Sequence, residues 1–450
     1  MYLLAFKIFL RNKATYWSIA LLLVTGIASI HIGKKFVEKQ THMIEKTAQI
    51  QKDHIKKHVG FFNKEMGLLM YYLRFSVVNQ PPMLSAIAIG QRDINPAVTG
   101  VTIRNLNEQI YDTDLNNPSS LLLGNLDLNF VFIYLFPLII IVFCYNIVSE
   151  EREKGIWGLT KIQSKSVMQV IWMQFSIRML VIYGVAILLI AFAAIYLPLP
   201  VNKPLVASII LLFAYLLFWF AIAFLIVSFG KTSNYNTITL LTVWITLNII
   251  GPAFLNLWVT NKYNMPEALE TVIHQREGYH EKWDIEKQVT MNKFYAHYPQ
   301  FKAYVLPKKE FSWLWYYAMQ QMGDDDAQQS ADQMLQKTIK REQFTQRASL
   351  FMPSLYAQLQ LNEFAQSDLN NHLHYLQSVK KYHEKLRLDF YPLIFGEKPV
   401  NSINWNAFEM KRFTETSSIG LTQTVLPLLL YTFLFGILGL FFMKKTLFKL

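Results

Sequence analysis

Six apolar runs, each long enough to cross a lipid bilayer, constrain this chain more than any other feature of its sequence. A membrane-spanning helix needs about 20 mainly apolar residues. Only 16% of the residues are charged, whereas soluble domains usually contain about 25%. The sequence therefore predicts an all-α membrane protein with six transmembrane helices. The predicted spans are 14–33, 127–148, 179–197, 205–229, 237–259 and 421–443.

The segment ahead of the first span, 1–13, is basic and amphipathic, which predicts an interfacial helix. A secretory signal peptide is the alternative, but its apolar core has about 7–15 residues, and the first run is longer. We therefore expect an uncleaved membrane anchor. Two later spans contain helix breakers, Pro137 in the second and Gly251-Pro252 in the fifth. We expect a kink at Gly251-Pro252, and Pro137 can be tolerated within a span if neighbouring helices satisfy the carbonyl that it frees.

Lysine and arginine are unevenly distributed between the two predicted sides of the membrane. With six spans and both termini inside, the inner segments contain twelve bases and three acids. Positive residues accumulate on the cytoplasmic side of membrane proteins, so topology explains most of the net charge of +12. We therefore expect cytoplasmic N- and C-termini, the lipid bilayer as a partner, and no nucleic acid. The inner segments are 1–13, 149–178, 230–236 and 444–450.

Two of the connections between spans, 34–126 and 260–420, are large enough to be domains. The smaller one is expected to begin as a helix that continues the first span, and Val101–Ile110 is predicted to form a short strand. The larger one has prolines between long polar stretches and, from Leu355 to Val379, apolar residues near helical spacing. The sequence therefore predicts two external (periplasmic), mainly helical insertions.

One tripeptide resembles part of a nucleotide-binding motif. Gly230-Lys231-Thr232 matches the end of the phosphate-binding loop G-x-x-x-x-G-K-[ST], but Leu225 stands where the first glycine is required. The spans are also nearly free of ionisable residues, which ion-coupled transporters place within the membrane. Asp127 and Arg178 lie at predicted span ends, where snorkelling explains them. We therefore expect no enzymatic activity in this chain and an energy source outside it.

The larger insertion contains two groups of residues with metal-ligating side chains. His372 and His374, near His383, are two positions apart and do not share a helical face, which favours solvated surface histidines. Asp324–Asp326 lack the ligand spacing of a calcium loop, and we predict a polar turn between helices there. We therefore expect neither a metal nor a cofactor in this chain.

The most informative motif follows the second span on the inner side and reads Ser149-Glu150-Glu151-Arg152-Glu153-Lys154-Gly155. One interpretation is a solvated, charged helix end that Gly155 terminates as a C-cap. The other is a docking surface, because three acids in a mainly basic inner segment would suit a complementary cytoplasmic partner. The next stretch, Ile156–Met173, mixes apolar and basic residues and predicts an amphipathic helix leading into the third span.

This motif, with the preceding Gly124-Asn125-Leu126-Asp127 and Pro137-Leu138, resembles type 2 ABC exporter permeases. In that class a charged E-R-E-x-G element after the second span contacts a separate nucleotide-binding subunit. The resemblance implies a bacterial plasma (inner) membrane protein that works with an ABC ATPase subunit, which binds the ATP, and with a second copy or a homologous permease. By resemblance, the residues that couple ATP hydrolysis to movement of the spans are Glu150, Glu151, Arg152, Glu153, Lys154 and Gly155.

A second motif lies in the larger insertion, where Met352-Pro353 is followed by Leu359-Gln360, Ala365, Ser367-Asp368 and His372. It resembles the external motif of a permease subgroup with a large external domain between its last two spans. That subgroup usually has serine before the proline and glycine-threonine before the aspartate, so the resemblance extends to topology and not to a shared external function. Two hypotheses follow: an exporter whose external domains serve an envelope partner, and a membrane sensor or scaffold that binds a partner without transport.

Overall fold

The computed structural model describes residues 2–111, 126–164, 166–265, 283–308, 310–415 and 420–449 of the 450-residue chain. These residues are mostly helical, with one small sheet. Gly124 and Asn125 of the permease-like motif lie outside the described residues. The helices are α1 (Tyr2–Arg11), α2 (Lys13–Phe61), α3 (Met66–Tyr72), α4 (Leu106–Tyr111), α5 (Leu128–Glu153), α6 (Trp157–Gln163), α7 (Val167–Tyr196), α8 (Lys203–Ser228), α9 (Ser233–Lys262), α10 (Lys287–His297), α11 (Trp313–Ser349), α12 (Pro353–Phe364), α13 (Leu369–Phe395) and α14 (Leu421–Lys449). The strands are β1 (Phe75–Val78), β2 (Val98–Val101) and β3 (Lys411–Arg412).

Six of the described helices, α2, α5, α7, α8, α9 and α14, are long and apolar enough to cross a membrane. Each contains one of the six apolar runs, so the architecture fits an all-α, multi-pass membrane protein. The most apolar stretch of α8 is 67% buried, as is that of α5, against 17% for α9 and for α14. Helices α5 and α8 therefore form the centre of this group, which we call the apolar bundle, and α9 and α14 lie at its periphery.

Two of the prolines within the spans, Pro137 and Pro252, follow π turns. In α5 a π turn at Val131–Leu135 stands directly before Phe136 and Pro137, and α9 has a similar turn before Gly251-Pro252. A proline lacks the N–H that would bond the carbonyl four residues earlier, which here belongs to Ile133. The hydroxyl of Tyr215 on α8 donates to that carbonyl at 2.8 Å. A neighbouring helix therefore satisfies the carbonyl that Pro137 frees, as a proline within a span requires.

The two predicted insertions share one hydrophobic core, which is separate from that of the apolar bundle. The sheet joins them. Strands β1 and β2, both in the smaller insertion, pair antiparallel, and β1 also pairs parallel with β3 of the larger insertion. Buried aromatic side chains from both segments, among them Phe75, Tyr317 and Phe390, fill this core. The unit formed by α3, α4, α10, α11, α13 and the sheet is therefore one domain, which we call the second domain.

Helix α2 belongs to both units. It is one continuous helix of 49 residues, about 74 Å long at 1.5 Å per residue, whereas the hydrocarbon core of a bilayer is about 30 Å thick. Leu22 and Ile30 are buried in the apolar bundle, and Ile55 is buried in the core of the second domain. The expected continuation of the first span as a helix is confirmed, and α2 connects the two units without a break.

Helix α12 lies within the larger predicted insertion, yet it packs into the apolar bundle. Its buried Ala357, Leu361 and Phe364 belong to the core of the bundle. The hydroxyl of Tyr356 donates to the carbonyl of Thr424 in α14 at 2.8 Å. The apolar spacing that begins near α12 therefore marks a packing face, and the first part of that face is turned toward the bundle rather than toward the second domain.

Two local predictions in the second domain are wrong. Val101–Ile110 is not a strand, because β2 ends at the first residue of this range and α4 begins at Leu106. Asp324–Asp326 do not form a turn between helices but lie within α11. Asp324 forms an ion pair of 2.7 Å with Arg387 on α13, whose side chain is 2% exposed. The acidic run therefore has a buried tertiary partner, which residue spacing alone does not reveal.

The predicted exposure of the histidines is also wrong in part. His383 is 2% exposed, and its Nε2 lies 2.7 Å from the carbonyl oxygen of Arg104. His372 is partly buried, whereas His374 is exposed and pairs with Glu415 at 2.6 Å. The three side chains thus have different surroundings because α13 turns one face to the domain core and the other to solvent.

Arg178 does not snorkel at a span end, as the sequence suggested, but is buried within α7. It is 9% exposed, donates to the carbonyl of Phe143 in α5, and its guanidinium carbon lies 4.9 Å from the ring of Phe9 in α1. A single side chain therefore connects three helices. The rest of α1 exposes apolar side chains, including Leu4 at 65% and Ile8 at 63%, as an interfacial helix would.

Lowering the pH below 6.5 is expected to destabilise the second domain through its buried histidines. Burial lowers the pKa of His372 to about 4 and lowers the pKa of His383 well below its usual 6.5. The unfolded chain then binds more protons than the folded chain at these positions. Stability should therefore fall as the pH drops from 6.5 toward 4, by at most about 1.4 kcal/mol per pH unit for each histidine.

The measurement is the midpoint of urea unfolding of the full chain across this pH range. His383→Gln should flatten the pH dependence, since glutamine keeps a donor for the carbonyl of Arg104 but does not titrate. If the urea midpoint of His383→Gln decreased as steeply as that of the natural chain when the pH is lowered, the prediction would be contradicted.

Candidate functional site

The charged motif after the second span forms the last turn of α5 and its cap. The helix ends at Glu153, and the N–H of Lys154 donates to the carbonyl of Glu150 at 2.9 Å. Gly155 has a φ of 72°, the left-handed conformation that glycine adopts at helix C-termini. The motif is therefore a helix C-terminus with a glycine C-cap, as its sequence predicts.

Glu153 connects this helix end to the start of α9. Its carboxylate accepts hydrogen bonds from the N–H of Ser233 at 2.7 Å and from the hydroxyl of Ser233 at 2.8 Å. The hydroxyl of Ser149, one turn earlier, lies 2.8 Å from the same hydroxyl. A carboxylate at a helix N-terminus satisfies a free backbone N–H and interacts favourably with the helix dipole. Glu153 therefore caps α9 together with Thr232.

Arg152 connects the same helix end to the turn between α8 and α9. Its guanidinium donates to the carbonyl of Gly230, which has a φ of 62°. On the other side of the turn, the hydroxyl of Thr446 in α14 donates to the carbonyl of Ser228 at 2.8 Å. A Cβ at Gly230 would lie 2.4 Å from the Cγ2 of Thr446, so the turn and α14 are in close contact. We call these joined helix ends the turn cluster: Ser149–Gly155, Gly230–Ser233 and Thr446.

The remaining charged residues of the motif face solvent or stay partly buried. Glu150 forms an ion pair with Lys154, and the two side chains are 44% and 63% exposed. Glu151 is partly buried, and its Oε2 has no hydrogen-bond partner in the part of the chain that the structure describes. The motif is thus divided. Arg152 and Glu153 bind to the turn between α8 and α9, whereas Glu150 and Lys154 bind each other near the surface, and Glu150 also accepts from the Nδ2 of Asn146 at 2.6 Å.

The stretch after the motif, predicted as one amphipathic helix over Ile156–Met173, is interrupted. Helix α6 ends at Gln163 and α7 begins at Val167, and serines, which favour helix ends, flank the break. Leu159 and Ile162 of α6 are 58% and 84% exposed, and residues three apart share a helical face. Helix α6 therefore presents a short apolar face directly after the turn cluster.

The turn cluster contains neither a metal-binding group nor a phosphate-binding loop in the part of the chain that the structure describes. No group of three or more His, Cys, Asp or Glu side chains that could hold a metal ion occurs in the described ranges. Gly230–Thr232 form a turn between two helices, in which Thr232 caps α9, and not the strand-to-helix turn of a phosphate-binding loop.

The partners of the motif carry weaker sequence signals than the motif itself. A glycine after a long apolar run, followed by threonine and serine, is typical of one helix ending and another beginning, and this signal could have identified Gly230–Ser233. Thr446 has no local signal, because its contact depends on how α14 packs against α8. Sequence reasoning therefore identifies one of the three components of the cluster.

Comparison with known families gives one result. Residues 268–414 match a family described as a domain of unknown function, DUF3526. The match covers less than half of the chain and lies in the larger predicted insertion, so it includes α10–α13 and β3 but not the turn cluster. No curated protein and no solved structure matches the chain.

Proposed function

We propose that this chain is the permease subunit of an ABC exporter, driven by an ATPase on a separate polypeptide. The observation that carries the proposal is the turn cluster, in which Arg152 and Glu153 join the charged motif to the turn between α8 and α9. An ATPase that binds the exposed Glu150 and Lys154 would push on a helix end that is already bonded to its neighbours. The resemblance to type 2 ABC exporter permeases supports the same role.

The cluster gives such a push a defined route through the apolar bundle. Helix α5 is joined to α9 through Glu153 and to the end of α8 through Arg152, and Thr446 extends the connection to α14. Closely packed protein interiors transmit strain because they have few voids to absorb it. Movement of the motif would therefore displace four helices together, with a cargo pathway between two permease copies.

Helix α12 extends this route toward the second domain. It packs in the bundle and continues through a short turn into α13. That turn is held by the hydroxyl of Ser85, which donates to the carbonyl of Ala365 at 2.9 Å, and by the N–H of Gln91, which donates to the carbonyl of Ser367 at 2.8 Å. In this proposal the second domain lies outside the membrane, where it handles cargo or an envelope partner.

A non-transporting sensor or scaffold is the second candidate, and the continuity of α2 favours it. One unbroken helix carries Ile55 in the second domain and Leu22 in the bundle, so a partner that binds the second domain would move the bundle without ATP. The two functions differ in the direction of the signal. A sensor keeps its response when ATP hydrolysis is abolished, whereas an exporter does not.

The test is the hydrolysis rate of the cognate ATPase, measured with the full chain in lipid nanodiscs. Adding the chain should stimulate hydrolysis. Replacing both Arg152 and Glu153 with alanine should reduce that stimulation about tenfold, a coupling loss of about 1.4 kcal/mol, because the bonds between α5 and the neighbouring turn are lost.

Lys231→Ala is the matched control, because Lys231 is an exposed base in the same turn and should be dispensable for the stimulation. Co-purification of the ATPase with each variant separates loss of binding from loss of transmission. The proposal would be rejected if adding the chain did not change the hydrolysis rate, or if the variant without Arg152 and Glu153 stimulated hydrolysis as strongly as the natural chain.

A further inference from the structure

Strand β2 is an edge of the sheet, whose order is β2-β1-β3. The N–H of Asn79 donates to the carbonyl of Ala97 at 2.9 Å, which makes these residues a bonded pair of the antiparallel ladder. Bonded and non-bonded pairs alternate along such a ladder, so Thr99 also bonds toward β1. The N–H and C=O groups of Val98 and Gly100 therefore point away from β1, toward the open side of the sheet.

At Thr102, the next residue whose backbone groups point away from β1, a side chain satisfies both the N–H and the C=O. Thr102 follows β2, and its N–H donates to the Oε1 of Gln109 at 2.7 Å, while the Nε2 of Gln109 donates back to the carbonyl of Thr102 at 3.4 Å. The carboxamide of Gln109 thereby imitates the backbone of a neighbouring strand. No comparable partner is found within the described residues for the outward groups of Val98 and Gly100.

A groove of about 380 Å³ lies at this edge, lined by the residues Pro96–Gly100, by α2 and by the residue before β1. Lys39 and Arg74 line it, and both are exposed. Arg92 also lines it but is buried, donating to the carbonyl of Asn79 at 3.1 Å. The described lining contains these three bases and one acid, so the groove is basic.

We propose that this groove binds an extended, acidic peptide segment of another protein, which adds as a strand beside β2. The outward N–H and C=O groups of Val98 and Gly100 form the backbone hydrogen bonds, and Lys39 and Arg74 bind carboxylates of the peptide. Strand addition of this kind takes affinity from main-chain bonds and specificity from side-chain contacts. The proposal is independent of the exporter function, because it concerns the sheet edge and the neighbouring part of α2 and not the turn cluster.

Other occupants fit this edge less well than a peptide does. A simple anion such as chloride or sulfate accepts hydrogen bonds but cannot donate to the carbonyls of Val98 and Gly100, whereas a peptide backbone does both. Pairing of β2 with β2 of a second copy would bring two basic edges together, and like charges across an interface are unfavourable. An acidic strand satisfies both the backbone groups and the charge.

The test uses the full chain in detergent micelles and a fluorescein-labelled peptide that alternates valine and glutamate. Fluorescence anisotropy should report saturable binding that weakens as salt is added. Lys39→Glu combined with Arg74→Glu should weaken this binding about tenfold or more, because charge-assisted contacts are lost. Lys46→Glu, which alters an exposed base of α2 outside the groove lining, is the control and should bind the peptide normally.

The backbone contribution can be tested without changing the protein. N-methylation of the peptide backbone removes its donors and should abolish binding. Amide hydrogen exchange at Val98 and Gly100 should slow when the peptide is added, whereas exchange at Thr99, which already bonds toward β1, should change little. The proposal is overturned if the glutamate peptide does not bind, if a valine–lysine peptide binds equally well, or if exchange at Val98 and Gly100 is unchanged at saturation.

Discussion

Replacing Arg387 with methionine is expected to destabilise the second domain by about 3–5 kcal/mol. Arg387 is 2% exposed and forms an ion pair of 2.7 Å with Asp324 of α11. Its other donors reach the carbonyls of Ile103 at 3.1 Å and Arg104 at 2.8 Å. Methionine occupies much of the same space but deprives the Asp324 carboxylate of its cationic partner and the carbonyl of Ile103 of its Arg387 donor. Breaking a buried ion pair in this way is costly because the remaining charge stays in the interior.

Hydrogen exchange of the α13 backbone amides in the full chain gives the local free energy of opening. Lys380→Met on the same helix is the matched control. Lys380 lies 3.8 Å from Asp332, and both side chains are more than half exposed, so its loss should cost about 0–1 kcal/mol. If Arg387→Met changed the opening free energy no more than Lys380→Met does, the buried pair would not be a main support of this domain.

The six spans could be predicted because their signal is local. Each apolar run is about as long as a bilayer requires or longer, and no distant residue is needed to recognise it. Pro137 is a related case. It lacks the N–H that would bond the carbonyl of Ile133, so a donor from another helix can be anticipated from the sequence, although only the structure identifies Tyr215 as that donor. The continuation of the first span as a helix could also be predicted, because no cluster of glycines or prolines interrupts the charged residues that follow the span.

The second domain could not be predicted because its contacts join distant parts of the chain. Val77 pairs with Lys411 in the sheet, and Asp324 pairs with Arg387 across two helices. Local patterns gave the wrong result where such contacts decide the structure, as in the acidic run that was predicted to be a turn. Helix α12 shows the same limit, since its apolar face does not reveal which of the two cores it joins.

The candidate site was predictable in position but not in its internal bonds. The charge pattern of Glu150–Gly155 identifies the motif, and Gly155 identifies where the helix ends. Nothing in the pattern shows that Glu153 bonds to Ser233 and Arg152 to Gly230, because either charge could equally have faced a partner protein. The structure thus separates the motif into Arg152 and Glu153, which bond to the neighbouring turn, and Glu150 and Lys154, which pair with each other at the surface.

Gly33→Ala is expected to force α2 away from the bundle and to lower stability by about 3 kcal/mol. A Cβ at Gly33 would lie 1.8 Å from the carbonyl oxygen of Ala86 and 2.7 Å from the carbonyl carbon. These atoms belong to the backbone, so no side-chain rotation relieves the overlap. The carbonyl of the next residue, Ile87, accepts the N–H of Asn129 in α5 at 3.0 Å, so the displacement should reach the centre of the bundle.

Gly60→Ala on the same helix is the matched control, because a Cβ at Gly60 meets no atom within 4 Å. Alanine is favoured over glycine inside helices by about 0.5–1 kcal/mol, so this variant should be slightly more stable, which separates the overlap from helix propensity. Cys144, the single cysteine, is buried in the bundle, and its labelling by a thiol-reactive dye during heating reports when the bundle opens. Labelling should begin at a lower temperature in Gly33→Ala than in the natural chain. Unchanged labelling would mean that α2 does not approach Ala86 this closely.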